Sequence, residues 1–152
     1  MQNIKYVISL CLIATIFFGN LQAQTNSALQ KVIIIRHGEK PVAGDNLSCQ
    51  GLNRAMELPA ILYAKFKTPD YIFVPALKAG KTTNVARMFE TIVPYAVKYN
   101  LSVDTRYDVK DANGVANAIM KKNGNVLVVW EHNNILNIVK AFGVKADNLK
   151  WK

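Results

Sequence analysis

Four consecutive β-branched apolar residues, Val32-Ile33-Ile34-Ile35, run without a spacer into Arg36-His37-Gly38-Glu39. The run does not alternate with polar residues. It therefore predicts a short strand buried on both faces, of the kind found in the middle of a parallel sheet. A cation, an imidazole and a glycine at the C-terminal end of such a strand occupy the place where open α/β sheets put their ligand sites. Gly38 lets the backbone turn sharply or approach a ligand closely. On its own the octapeptide also fits a strand followed by a polar turn, so the rest of the chain has to decide.

Taken in order, the chain alternates strands and helices. The strand Lys31–Arg36 is followed by a loop over 39–46 containing Pro41, Gly44 and Asp45. Ser48 is placed to cap a helix from about Cys49 to Phe66, with Leu52, Ala55, Pro59, Leu62 and Phe66 at near-helical spacing. Pro59 lacks an amide proton and is expected to kink or split that helix. A second strand covers Asp70–Val74 and is closed by Pro75. A loop from Pro75 to Thr83 carries Lys78 and Lys81, read as solvent-facing. A second helix spans about Asn84–Tyr99 and is interrupted by Pro94. Leu101–Val103 is a short strand, Asp104–Asp111 a polar segment, and Ala112–Lys121 a third helix. Val126–Trp130 is a further wholly apolar strand, ending in Glu131-His132. A last helix runs from about Asn134 to Phe142 and is stopped by Gly143. This alternation indicates an α/β sandwich with a parallel sheet.

The 152 residues suggest one domain preceded by a leader. Lys5 precedes an apolar run from Val7 to Phe18, and Leu21-Gln22-Ala23 has the form of a processing site. That is the layout of a signal peptide over residues 1–23, with a mature domain over 24–152 beginning at Gln24. The run is about a dozen residues, short of the ~20 needed to span a bilayer. No stable membrane anchor is expected after cleavage, and the expected location is periplasmic or secreted. Removing residues 1–23 takes away Lys5 and no acid, so the net charge falls from +9 to +8. Cys49 is then the lone cysteine, and no internal disulfide can form. The positive charge favours anionic partners. With no zinc-ligand cluster, RNA-binding signature or run of four adjacent basic residues, nucleic acid is not expected among them.

Both histidines of the chain lie directly after apolar strands, His37 after the first and His132 after the last. In a parallel sheet these strand ends open on one edge, so the two imidazoles can share a pocket. Here the sequence resembles the histidine phosphatase superfamily, which includes phosphoglycerate mutases and phosphohistidine phosphatases. Val32–Glu39 resembles its Arg-His-Gly signature. Leu47-Ser48-Cys49-Gln50-Gly51 resembles its leucine-Ser/Thr-x-x-Gly segment at the first helix. Arg87-Met88-Phe89-Glu90-Thr91 resembles its second-helix arginine with a threonine four residues on. Val126–His132, continuing through Asn133 and Asn134, resembles its strand and second histidine. The matches occur in order between about Val32 and Phe142.

The resemblance implies a phosphoglycerate mutase-like three-layer sandwich, with a mostly parallel central sheet flanked by helices and the family's final strand missing from this sequence. It implies His37 as the nucleophile and Arg36, Arg87 and His132 as the phosphate pocket, with neither metal nor cofactor. The chemistry agrees: a neutral imidazole can carry a phosphoryl group, and arginine forks suit phosphate oxygens. Two departures from the family pattern stand out. Pro75 to Arg87 spans twelve positions, longer than the family's usual spacing. No residue clearly matches the family's carboxylate proton donor; Asp108 and Asp111 are the candidates by position, with Asp104 and Glu131 behind them. The expected function is an exported, metal-independent phosphatase acting on a phosphorylated small molecule or phosphoprotein. The alternative is a noncatalytic phospholigand-binding module of the same fold. A mutase is disfavoured because the chain is short of lids that would exclude water.

Overall fold

The structure is a computed structural model that describes residues 31–77 and 85–146. The leader over 1–23, Lys78 and Lys81 lie outside the described residues. Four strands, β1 (Lys31–Arg36), β2 (Tyr71–Pro75), β3 (Val103–Tyr107) and β4 (Asn125–Trp130), alternate with four helices. The helices are α1 (Cys49–Phe66), α2 (Ala86–Lys98), α3 (Ala112–Met120) and α4 (His132–Ala141). The strands form one wholly parallel sheet in the order β1-β4-β2-β3.

Alternate residues of the apolar strands feed two cores. Leu127 and Val129 of β4, with Ile72 and Val74 of β2, pack under Leu58 and Leu62 of α1 and Met88, Ile92 and Tyr95 of α2. Val126, Val128 and Trp130, with Phe73, pack under Val115 and Ile119 of α3 and Ile135 and Ile138 of α4. Helices on both faces of the sheet make the three layers expected.

Several sequence expectations need correction. β1 is not central: among the described residues it pairs only with β4 and forms one edge of the sheet, and Val32–Ile35 are half-buried. Central placement belongs to β4 and β2, whose residues after the first are all buried. The third strand is Val103–Tyr107, not Leu101–Val103, so the segment from Asp104 is half strand rather than loop. Neither proline breaks its helix. Pro59 lies within the 18-residue α1, and Pro94 within the 13-residue α2. α4 begins two residues earlier than expected, at His132, and ends as predicted near Gly143, whose φ of 78° is the left-handed conformation that glycine tolerates.

Candidate active site

β1 delivers His37 to the C-terminal edge of the sheet. Its backbone N–H donates to the Trp130 carbonyl at 3.3 Å, which carries the β1–β4 pairing one residue past the strand. The side chain is only 3% exposed. His37 Nδ1 lies 2.6 Å from the Gly38 carbonyl oxygen. A carbonyl can only accept, so Nδ1 carries the ring proton and Nε2 keeps its lone pair. Burial pushes the His37 pKa below its ordinary value. The Gly38 carbonyl opposes that shift, and the positive charges of Arg87, Arg36 and His132 add to it. The imidazole is therefore held neutral, the form that can act as a nucleophile.

The same charges identify the cluster. Arg36 is the last residue of β1. His132 is the first residue of α4, and its ring centroid lies 6.5 Å from that of His37, with the planes 63° apart. Arg87 stands in the first turn of α2, where its Nη1 donates to the Asp45 carbonyl at 3.0 Å. Arg87 and His132 thus sit at helix N-termini, whose exposed amides and dipoles themselves favour anions. Arg87 Nε and His132 Nδ1 are buried without a hydrogen-bond partner. Buried nitrogens of this kind are normally satisfied by a ligand or ordered water.

The loop between β1 and α1 is fastened from three sides. Ser48 caps α1, accepting from Gly51 N–H at 3.1 Å, and its own N–H and Oγ–H donate to the Glu39 carbonyl at 2.9 and 3.1 Å. Leu47 N–H donates to Glu90 Oε2 at 2.9 Å, tying the loop to α2. Arg54 Nη1 meets Glu39 Oε1 at 2.7 Å on the exposed side; the hydrogen bond from Glu39's own backbone N–H, with Arg54 behind it, keeps the Glu39 pKa below its ordinary value against the opposing effect of burial. Thr91, 1% exposed, accepts from Gly38 N–H at 2.8 Å and donates to the Arg87 carbonyl at 2.7 Å. The sequence flagged Thr91 only as part of a motif. It gave no role to Glu90, although Glu90 adjoins Thr91 in that same motif. The part played by Asp45 is a backbone carbonyl, for which no side-chain signal exists.

The carboxylates proposed as proton donors are placed differently. None of Asp104, Asp108, Asp111 and Glu131 is among the charges acting on His37. Asp104 is hydrogen-bonded by Arg106, which holds its carboxyl below the usual range and so ionised. Asp108 Oδ1 accepts from Lys110 N–H at 2.9 Å. Asp111 is exposed and caps α3, accepting from Gly114 N–H at 2.8 Å. The Asp108–Asp111 loop does reach across the sheet edge, since Trp130 Nε1 donates to the Val109 carbonyl at 2.8 Å. Glu131 takes the side-chain amides of Asn133 and Asn134 at 3.2 and 2.8 Å. Among the described residues no group of three or more His, Cys, Asp or Glu side chains is placed to hold a metal ion.

The parallel three-layer sandwich, with its histidines at the ends of β1 and β4, has the phosphoglycerate mutase-like fold of the histidine phosphatases. Among solved structures it is similar to one described as "Crystal structure of the putative phosphohistidine phosphatase SixA from Agrobacterium tumefaciens", with a TM-score of 0.54. The alignment covers 72% of this chain and 74% of that one at 16% identity, so the likeness is one of fold. No protein-family model and no curated protein matches the sequence.

Proposed function

We propose that this chain is a phosphatase that hydrolyses phosphate monoesters through a phosphohistidine at His37. The observation that carries the reading is the His37 imidazole itself. It is buried, its Nδ1 proton is committed to the Gly38 carbonyl, and burial, with Arg87, Arg36 and His132 beside it, lowers its pKa and so favours the neutral ring. Nε2 attacks phosphorus and the ester P–O bond breaks. The leaving alcohol takes a proton, for which the Asp108–Asp111 loop is the proposed source. Water then attacks the phosphorus, the N–P bond breaks, and inorganic phosphate leaves the restored imidazole. Arg36, Arg87 and His132 hold the nonbridging oxygens, where charge must be stabilised throughout. No step calls for a metal or cofactor. The substrate is a phosphorylated small molecule or phosphoprotein, and nucleic acid has no part in this reading.

Export rests on the sequence of residues 1–23, and N-terminal sequencing of periplasmic material tests it: a start at Gln24 supports it, and an intact Met1 in the cytosol refutes it. The positions of the four carboxylates favour one second reading, a phospholigand-binding module that lacks an efficient acid. Turnover of an activated aryl phosphate by the purified chain, with and without EDTA, separates the two. EDTA-resistant turnover supports the phosphatase. Stoichiometric phosphate binding without turnover supports the module.

A further inference from the structure

We infer that Thr91 is a positioning residue that holds the Gly38 backbone, whose carbonyl sets the tautomer of the His37 nucleophile, a role that rests on the phosphatase reading above but is measurable apart from it. Three hydrogen bonds run in series from α2 to the imidazole. The Thr91 hydroxyl donates to the Arg87 carbonyl at 2.7 Å, one turn back along the helix. With its proton spent there, Oγ1 can offer only lone pairs on its other side, and it accepts from Gly38 N–H at 2.8 Å. The Gly38 carbonyl in turn accepts from His37 Nδ1 at 2.6 Å. A backbone N–H can only donate and a carbonyl can only accept, so it is the Gly38 carbonyl that leaves Nε2 bare, and Thr91 acts by holding the Gly38 backbone where that carbonyl meets Nδ1.

A glycine between the nucleophile and its anchor makes that anchor necessary. Gly38 has no side chain to restrain its φ and ψ, which join the peptide unit of its N–H to the next unit, the one that carries its carbonyl. The tight packing explains why the residue is glycine: a Cβ there would lie 2.9 Å from the Gly51 carbonyl oxygen and 3.1 Å from Leu47 Cδ2. The peptide must therefore be held through its backbone, and Thr91 Oγ1 is what holds its N–H. Thr91 is 1% exposed, and Gly38 is buried, so water is a poor substitute for the hydroxyl. The same helix carries Arg87, whose carbonyl begins the series. The phosphate-binding arginine and the nucleophile's tautomer are thereby tied to one turn of α2.

The test uses ¹⁵N-histidine-labelled protein, in which only His37 and His132 report. Above its pKa, His37 of the unaltered protein is expected to show a protonated Nδ1 and a bare Nε2. A dominant Nε2–H tautomer there overturns the proposal without any variant. Thr91→Val keeps the shape and removes the hydroxyl. It is expected to shift His37 toward a mixture of tautomers and to lower kcat roughly 10–100-fold with KM little changed, the range seen when an outer partner of a functional histidine is lost. Thr91→Ser, which keeps both hydrogen bonds, is expected to recover both signals. A folded Thr91→Val protein with the Nδ1–H tautomer intact and unaltered kcat refutes the role. Should the unaltered protein show no phosphatase turnover, the phosphatase reading fails, while the tautomer measurement still decides the role of Thr91.

Discussion

Replacing Gly51 by alanine tests how tightly the β1–α1 loop is held. In the interior of an isolated helix, alanine is better than glycine by about 1 kcal/mol. The site reverses that preference. A Cβ on Gly51 would sit 2.8 Å from the Glu39 backbone nitrogen and closer still to the Glu39 carbonyl oxygen. These are backbone atoms, with no flexible side chain to swing away. The loop must move, and with it the Glu39 carbonyl that accepts from both Ser48 N–H and Ser48 Oγ–H. Forcing a methyl into such a contact costs about 1–3 kcal/mol, and weakening one or two hydrogen bonds adds about 0.5–1.5 kcal/mol each. Set against the helix preference, the expected net loss is about 0.5–5 kcal/mol, or a fall of roughly 2–20 °C in Tm. Urea and thermal unfolding measure it, with aryl phosphate turnover followed in parallel. Gly143→Ala serves as the comparison. Among the described residues no atom beyond its chain neighbours lies within 4 Å of its added Cβ, and the left-handed backbone at φ 78° opposes it, at about 1–2 kcal/mol. Gly143→Ala should leave turnover intact, whereas Gly51→Ala should lower it. A Gly51→Ala protein as stable and as active as the unaltered chain would refute the claim that this contact positions the site.

Arg36→Ala, Arg87→Ala and His132→Ala are each expected to lower kcat/KM by ~10²–10³, the usual cost of losing one donor to a developing anion; steady-state kinetics on an aryl phosphate check this, and turnover abolished by EDTA and restored by a divalent ion would contradict the pocket. Because the His37 pKa is lowered from 6.5, the acid limb of kcat/KM should lie below pH 6.5. The unfolded chain also binds more protons than the folded one in the window below 6.5, so stability should fall as pH drops through it, and His37→Ala should flatten that slope in pH-dependent urea melts. Asp108→Asn and Asp111→Asn should spare aryl phosphates, whose leaving groups need no proton, and slow alkyl phosphates; wild-type rates of both mutants on alkyl phosphates would remove the loop as the proton source.

The bounds of β1 and α1 were legible in the sequence because local chemistry sets them. Four β-branched residues favour a strand, and Ser48 with Gly51 marks a helix start. The edge position of β1 was not legible. A continuous apolar run reports that both faces are covered, and helices cover both faces at an edge as well as in the centre. β3 was misplaced because its polar residues looked like loop. In fact Val103, Thr105 and Tyr107 alternate with Asp104 and Arg106, which pair side by side on one face of an edge strand. The early start of α4 was hidden because Glu131 stands at the cap position in extended conformation without making the usual cap bond, and its carboxylate instead gathers Asn133 and Asn134. That Arg36, His37, Arg87 and His132 lie together was legible because each follows a strand or opens a helix in a recognisable motif. The hydrogen bonds of the candidate proton donors were not legible, because position along the chain says nothing about which carboxylate caps a helix or meets an arginine.

The most direct measurement is rapid quenching of the protein during turnover of a ³²P-labelled monoester, beside His37→Ala. The account predicts an acid-labile, base-stable label on the unaltered chain, at His37, and none on the variant, which keeps its fold. Equal labelling of His37→Ala, or a label that survives acid, would contradict a phosphohistidine at that position.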